Sequence, residues 1–473
     1  MDSAADQVNV AKVYEAGQEQ VFEYWDELNS DQRRSLLTQL DAIDFQEFGR
    51  LVRTHLLDPE KNDASSTLEE LKPAEMIPTQ GSTHLAQERQ LAQRVGFETL
   101  RRGEVGILLV AGGQGTRLQF DGPKGLFPLG PLSGRTLFQY LAEKIRALQL
   151  RVKRNLTWII MTSPANHEET VSYIQTHGFF GLHPSDVIFR AQGMLPSVDP
   201  RRAKMLLTAK HEIALSPNGH GGAIRVLQAL GPELEKRGVR HIFTHQVDNP
   251  LVRMCDPTFV GFHVLRQSQF SSKAVAKRHA DEKVGVFCRS GLALRVVEYT
   301  ELTPQARTAL DATGRLAFRA GNIAQHIISM EFLCGDAAAG NFNVPYHVAR
   351  KALRYLRNGA PVAADRPNSV RFESFLFDAI PYAKNPIVVE ALREREFAPV
   401  KNLSGEDSPD ECRGLLTAEW ARWFAESGVV FPPSQGGSKY PVEISPLFAD
   451  SAEELRDRLA ERTFDLRAPV VLE

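Results

Sequence analysis

The sequence predicts an α/β fold organised around a mainly parallel sheet, and two observations carry that prediction. From about residue 103 short β-rich apolar runs alternate with helical segments, and the first of those runs passes directly into a glycine-rich turn. Such alternation places helices on both faces of the sheet and ligands outside the carboxyl ends of its strands. The flanks break the pattern. Residues 1–102 read as a helical N-terminal region and linker, residues 103–385 as the sheet core, and residues 386–473 as a small C-terminal lobe.

In the N-terminal region, Val21–Trp25 and Leu36–Leu40 carry apolar residues at helix-like spacing, and Asn29-Ser30-Asp31 supplies an N-cap for the second. Prolines and small polar residues mark 58–80 as a linker. The run Val105–Ala111 reads as a buried strand. Further strands are expected over Leu156–Thr162, Val187–Gln192 and Ile242–Asp248, with a helix from Glu168 to His177. In the last lobe, 406–413 reads as loop and 418–424 as helix, which Pro432–Gly437 interrupts. The glycine turn, Gln192 and Asp248 all fall at predicted strand ends.

Composition narrows the class. A formal net charge of −2 gives no global basic field for nucleic acid or anionic lipid, so any phosphate must be held locally. The 4 cysteines lie far apart with no CxxC spacing, which argues against a zinc site or a disulfide scaffold and for a reducing compartment. No signal peptide and no transmembrane run is visible, so cytoplasm is expected.

The chemistry concentrates in Gly112-Gly113-Gln114-Gly115-Thr116-Arg117-Leu118 and Pro123-Lys124-Gly125. Glycines let the backbone approach a ligand, while Arg117 and Lys124 add a bidentate and a point-charge phosphate contact. The loop is not a Walker A motif, since no Gly-Lys-Ser/Thr closes it. Nor is it the dinucleotide fingerprint, because Leu118 stands where the third glycine belongs. A dinucleotide-dependent oxidoreductase is disfavoured on that ground.

These two stretches resemble the signature of the sugar-nucleotide pyrophosphorylases. The later segments Ser216–Gly222, Val247–Leu251, Val284–Val286, Val297–Leu302, Arg319–Ala324, Glu373–Asp378 and Arg393–Asn402 narrow the resemblance to the eukaryote-type UDP-sugar pyrophosphorylases, closest to the UDP-N-acetylhexosamine branch. The matching segments occur in the family's order over roughly residues 20–402; the final stretch matches poorly. The resemblance implies a Rossmann-like nucleotidyltransferase core and transfer of uridylyl from UTP to a sugar 1-phosphate, N-acetylglucosamine 1-phosphate being favoured, with pyrophosphate released and Mg²⁺ (or Mn²⁺) as cofactor.

It also implies roles. Ala111, Gly112, Gly113, Gly115 and Thr116 would hold the nucleotide, with Arg117, Lys124 and Lys401 as the catalytic cations on the phosphates. Gln192 would read the uracil edge, and Gly221 and Gly222 would let the backbone approach base or ribose. Asp248 would bind the metal beside the nucleotide. His220, Asn249, Gly285, Glu298 and Asn322 would line the sugar pocket. The implied partners are UTP, sugar 1-phosphate, UDP-sugar and pyrophosphate, with no nucleic acid or membrane, in a monomer or weak homo-oligomer. One departure bears on the sugar: the N-acetylhexosamine branch carries Asn where this chain has His220, and the UDP-glucose and broad-specificity branches carry His followed by Gly-Asp, whereas here Gly221-Gly222 follow. A UDP-glucose or broad-specificity enzyme, or a silent nucleotide-sugar-binding homologue, are the alternatives.

Overall fold

The computed structural model describes residues 4–58, 71–336, 344–363, 365–429, 440–461 and 469–473. Most of the expected linker at 58–80, and the Pro432–Gly437 break, lie outside them. The chain divides into two compact units, Met1–Glu69 with Gln192–Ile224 and Asn343–Asp378, and Glu70–Ala191 with Arg225–Phe342 and Ala379–Glu473. This division differs from the three successive regions read from the sequence. Residues 386–473 group with the sheet, and two central segments group with the N-terminal helices.

The first unit contains helices α1 (Ala4–Glu15), α2 (Ser30–Asp41) and α3 (Phe45–Val52). Asn29 caps α2 as expected and forms a reciprocal capping box with Gln32. The helix-like run at Val21–Trp25 instead forms two short 3₁₀ turns, Glu19–Phe22 and Trp25–Glu27. Gly17, at φ +63°, ends the preceding helix. Phe22, Tyr24 and Trp25 lower the helix propensity of this run. Val21, Leu36, Leu40, Phe48 and Leu51 share one core with Val198, Met205, Leu207, Ile213, Val370 and Phe372. Segments far apart in sequence therefore make up this unit.

The second unit is built on a ten-stranded mixed sheet: β1 (Lys72–Pro73), β2 (Val105–Val110), β3 (Trp158–Thr162), β4 (Val187–Ala191), β5 (His241–Gln246), β6 (Phe270–Ala276), β7 (Val286–Ser290), β8 (Ala293–Val297), β9 (Ala320–Ser329) and β10 (Ile387–Ala391). Strands β4, β3, β2 and β5 run parallel in that spatial order. Beyond β5 the sheet continues antiparallel through β9 to β6, which pairs in parallel with β10. Strands β7 and β8 form a hairpin whose β7 bridges to β9 and to β1.

Helices α4 (Thr83–Arg101), α5 (Leu137–Val152), α6 (His167–Thr176), α7 (Pro257–Leu265), α8 (Pro409–Glu426) and α9 (Ala452–Glu461) belong to this unit, as does most of the helix Gly222–Lys236. Helices α4 and α7 cross closely because both carry glycine at the contact. A Cβ on Gly96 would collide with the Pro257 carbonyl, and one on Gly261 with the Ala92 carbonyl. Helix α8 begins earlier than the sequence reading has it, at Pro409 after the Ser408 cap, because capping chemistry and not polarity sets the boundary.

The C-terminal segments are joined to this core. Glu443, fully buried in the short strand Val442–Ile444, accepts hydrogen bonds from the Leu132 and Ser133 amides at 2.8 Å each and from the Tyr140 hydroxyl at 2.9 Å. Arg135 lies 3.1 Å from Glu143 and 3.6 Å from Glu443. A buried carboxylate with that many donors is satisfied, and it fixes the loop 129–136. No helix among the described residues is long and apolar enough to cross a membrane.

Candidate functional site

The apolar run predicted as a strand is β2, with Val105, Ile107, Leu108 and Leu109 fully buried. Its ladder continues one residue further through the Ala111 amide, 2.8 Å from the Met161 carbonyl. The chain then leaves the sheet through Gly112 and Gly113. The Asn166 side chain donates to the carbonyls of Ala111 and Gly113 at 2.9 and 3.3 Å, while its oxygen accepts from the Ser163 amide at 2.8 Å. Asn166 therefore staples the glycine turn to the end of β3. The sequence reading missed it, although Ser163-Pro164-Ala165-Asn166 is a turn signal placed where a neighbouring parallel strand should end.

The glycine stretch closes on itself as a short hairpin. Gly115 donates to Gly122 at 2.9 Å and Lys124 donates to Gly113 at 3.1 Å. Each glycine has its own reason. A Cβ on Gly115 would press on Phe120 at 2.7 Å, and one on Gly125 would enter the Phe138 ring. A Cβ on Gly113 would meet nothing within 4 Å. Packing does not require glycine at Gly113, and the open space leaves room for a ligand to approach the backbone there. Gly113→Ala is accordingly expected to leave the thermal midpoint unchanged and to raise KM for the nucleotide about tenfold, read from initial rates against UTP concentration.

The hairpin sorts its two cations. Arg117 sits on an exposed 3₁₀ turn, Thr116–Leu118, and no ion pair holds it among the described residues. Lys124 starts from the base of the hairpin, and its Nζ lies 3.6 Å from Asp248 Oδ2, the two side chains being 16% and 9% exposed. Asp248 lies two residues beyond β5, the strand parallel to β2, which brings the two groups together as expected of neighbouring strand ends.

The segment 396–401 is fastened to the same strand end. Val400 donates to the Asp248 carbonyl at 2.8 Å, Ala398 donates to Asn249 Oδ1 at 3.0 Å, and Asn249 Nδ2 donates to the Glu396 carbonyl at 2.8 Å. Asn249, expected in the sugar pocket, is thus buried and used as a brace. It retains one amide hydrogen and one lone pair. Lys401 follows directly; its Nζ lies 3.4 Å from Asp407 and 5.4 Å from the Phe397 ring centre.

Gly285, Glu298 and Asn322 are brought together. Asn322 donates its amide to the Gly285 carbonyl at 2.8 Å, and a Cβ on Gly285 would lie 3.1 Å from a Glu298 carboxylate oxygen. The Asn322 side chain accepts from the Ala324 amide at 2.9 Å, stabilising a left-handed Ala324 at φ +53°. Glu298 follows β8, and its amide is capped by Glu301 at 3.1 Å.

The first unit holds the remaining residues. Gln192, the residue after β4, is buried. His220 accepts the Leu376 amide on Nδ1 at 3.1 Å, which leaves its proton on Nε2, and it lies against Phe375 and Phe377. Burial lowers its pKa to about 4, so the ring is neutral at physiological pH. Gly221 and Gly222 begin the helix Gly222–Lys236, and here packing does explain the glycines. A Cβ on either would lie 2.5 Å from Ser374 Oγ or Asn218 Oδ1, respectively.

Among the described residues no group of three or more His, Cys, Asp or Glu could hold a metal, at Asp248 or elsewhere. That donor set suits a hard cation that draws most of its oxygens from phosphates and water, and does not suit zinc.

Comparison with known proteins gives a consistent result. The profile of the UTP–glucose-1-phosphate uridylyltransferase family matches residues 45–461. UDP-N-acetylglucosamine diphosphorylase 2 of Arabidopsis thaliana is 33% identical over 485 residues, covering 97% of this chain and 92% of that protein. The human UDP-N-acetylhexosamine pyrophosphorylase-like protein 1 is 33% identical, covering 99% and 97%. Among solved structures, the uridine diphosphate N-acetylglucosamine pyrophosphorylase of Trypanosoma brucei superposes with a TM-score of 0.83 at 26% identity, covering 100% of this chain and 98% of that one.

Proposed function

Since the chain belongs to the UTP–glucose-1-phosphate uridylyltransferase family, we propose that it joins UTP to N-acetylglucosamine 1-phosphate, with the cations of the glycine hairpin and Lys401 acting on the phosphates. The reaction class is uridylyl transfer between UTP and a sugar 1-phosphate. A phosphate oxygen of the sugar 1-phosphate attacks the α-phosphorus of UTP. The bond from that phosphorus to the bridging oxygen breaks, and pyrophosphate leaves with the electron pair. No covalent enzyme intermediate is needed; positioning and neutralisation of charge do the work.

In this reading the backbone at Gly112 and Gly113 lies against the nucleotide, and Arg117 and Lys124 receive the charge that grows on departing pyrophosphate. Lys401 exchanges Asp407 for phosphate oxygens. Asp248 would hold Mg²⁺ or Mn²⁺, which when bound supplies further neutralisation of phosphate charge. Glu298 and Asn322 offer an acceptor and an amide to sugar hydroxyls across the small Gly285.

The observation that carries the choice of sugar is the extent of the likeness: about a third identity spread over nearly the whole length of relatives named for N-acetylglucosamine or N-acetylhexosamine. The test is pyrophosphate release from UTP and Mg²⁺ with N-acetylglucosamine, N-acetylgalactosamine and glucose 1-phosphates compared side by side. A kcat/KM for N-acetylglucosamine 1-phosphate at least about tenfold above glucose 1-phosphate is expected. The reverse order would overturn the sugar and favour the UDP-glucose reading that His220 suggests. Absence of release with every sugar, from folded protein that binds UTP, would point to a silent homologue.

A further inference from the structure

We infer that Lys273 is a positioning residue for uridylyl transfer, acting through Glu396 on the segment that carries Lys401 and on the Asp248–Asn249 strand end. The inference rests on the reading of Lys401 and Asp248 given above.

Lys273 lies in the middle of β6, a strand paired on both sides, and only 1% of its side chain is exposed. An ammonium there is costly unless it is fully paired. Its Nζ is 2.9 Å from Asp256 Oδ2, hydrogen-bonds Glu396 Oε2 and stands over the Phe259 ring. Asp256 also caps α7 through the Thr258 amide at 3.1 Å, and Arg253 lies 4.0 Å away as a second cation.

The opposing strand is shaped around the same point. The β6–β9 register shifts between Ser272, opposite His326, and Ala274, opposite Asn322. Four steps along β9 therefore match two along β6, and the excess is taken up as a bulge at the left-handed Ala324. The bulge sends the Gln325 amide to the Glu396 carbonyl at 3.3 Å. Glu396 is thus held at its carboxylate by Lys273 and at its carbonyl by Gln325 and Asn249. Ala398 and Val400 then bind Asn249 and Asp248, and Lys401 is the next residue.

A buried ion triad is a poor device for stability alone, because apolar side chains of similar volume do as well or better. What a triad provides is one fixed arrangement. Here it fixes the path of 396–401 across the end of β5, where a displacement of about 1 Å would carry Lys401 off the phosphates.

The test crosses Glu396→Gln and Lys273→Met with Lys401→Ala in the full-length enzyme, reading kcat, KM for UTP and the thermal midpoint. Glu396→Gln keeps an acceptor for Lys273 and leaves Asp256 paired, so it remains informative if Lys273→Met does not fold. Glu396→Gln is expected to lower kcat about 10- to 100-fold with KM for UTP within about threefold of wild type. Adding Lys401→Ala should then cost less than it does in wild type, since that lysine is already misplaced. A lowered thermal midpoint with kcat unchanged, or effects that simply multiply, would overturn the inference. Lys401→Ala alone at wild-type kcat would instead strike the reading of that lysine; the inference then depends on the same cycle run with Asp248→Asn, where coupling supports it and simple multiplication overturns it.

Discussion

Lys124→Met is expected to lower kcat/KM for uridylyl transfer by about three orders of magnitude, the loss typical of removing one preorganised group from developing charge. The size of the effect follows from how Lys124 is placed. Its own amide is tied to Gly113 at 3.1 Å, so the residue leaves the hairpin at a fixed point. Among the described residues its Nζ has one charge partner, Asp248 at 3.6 Å, a separation that leaves donors for phosphate oxygens. Pyrophosphate is the group on which charge grows, so the loss should fall more on kcat than on KM. Lys124→Arg should recover only part of it, because a broad planar fork does not replace a compact point charge. Steady-state rates of pyrophosphate release, with the thermal midpoint as a check on folding, measure both. An equal rise in KM with kcat preserved would make Lys124 a ground-state anchor only.

Lys401→Ala is expected to reduce kcat about a hundredfold while changing the Kd for UTP by less than about threefold. Lys401 is about one-third exposed, paired with Asp407 and supported by the Phe397 ring, so its removal leaves no buried charge behind and should not disturb the fold. On the proposed reading its worth lies in what it meets during transfer. UTP titration of the variant separates the two effects. Parallel loss of binding and turnover would place Lys401 on UTP from the start and remove it from the list of groups that act on the transition state.

Much of this site could be read in the sequence because it is local. The strand at Val105–Val110, the glycines after it and the two nearby cations lie within twenty residues, and strand periodicity with glycine chemistry locates them. The place of Asp248 at a strand end is legible in the same way, as a charged residue just past an apolar run. Asn166 was not, since nothing in Asn166 itself shows that its amide reaches 55 residues back to Ala111. The brace role of Asn249 was equally hidden, because its partners at 396–398 are some 147 residues distant. The glycines show the same limit. Gly113 and Gly222 look alike in sequence, yet one faces open space and the other the Asn218 amide. Division of the second region between two units was also illegible, since local patterns carry no record of which remote segments share a core.

The Glu443 clasp has a consequence for synthesis of the chain. Ser133, whose amide it binds, emerges from the ribosome 310 residues before Glu443 does. Domains gain structure as they are made. The strands on either side of β2 can assemble while translation continues, and so can the turn within the loop 129–136, where Leu129 and Gly130 donate to the Arg135 carbonyl, but the Leu132 and Ser133 amides wait for Glu443. A nascent chain stalled before Glu443 would carry the glycine hairpin and both its cations and still lack the carboxylate that fixes the loop behind them. Fixing of that loop is thereby timed to the synthesis of Glu443.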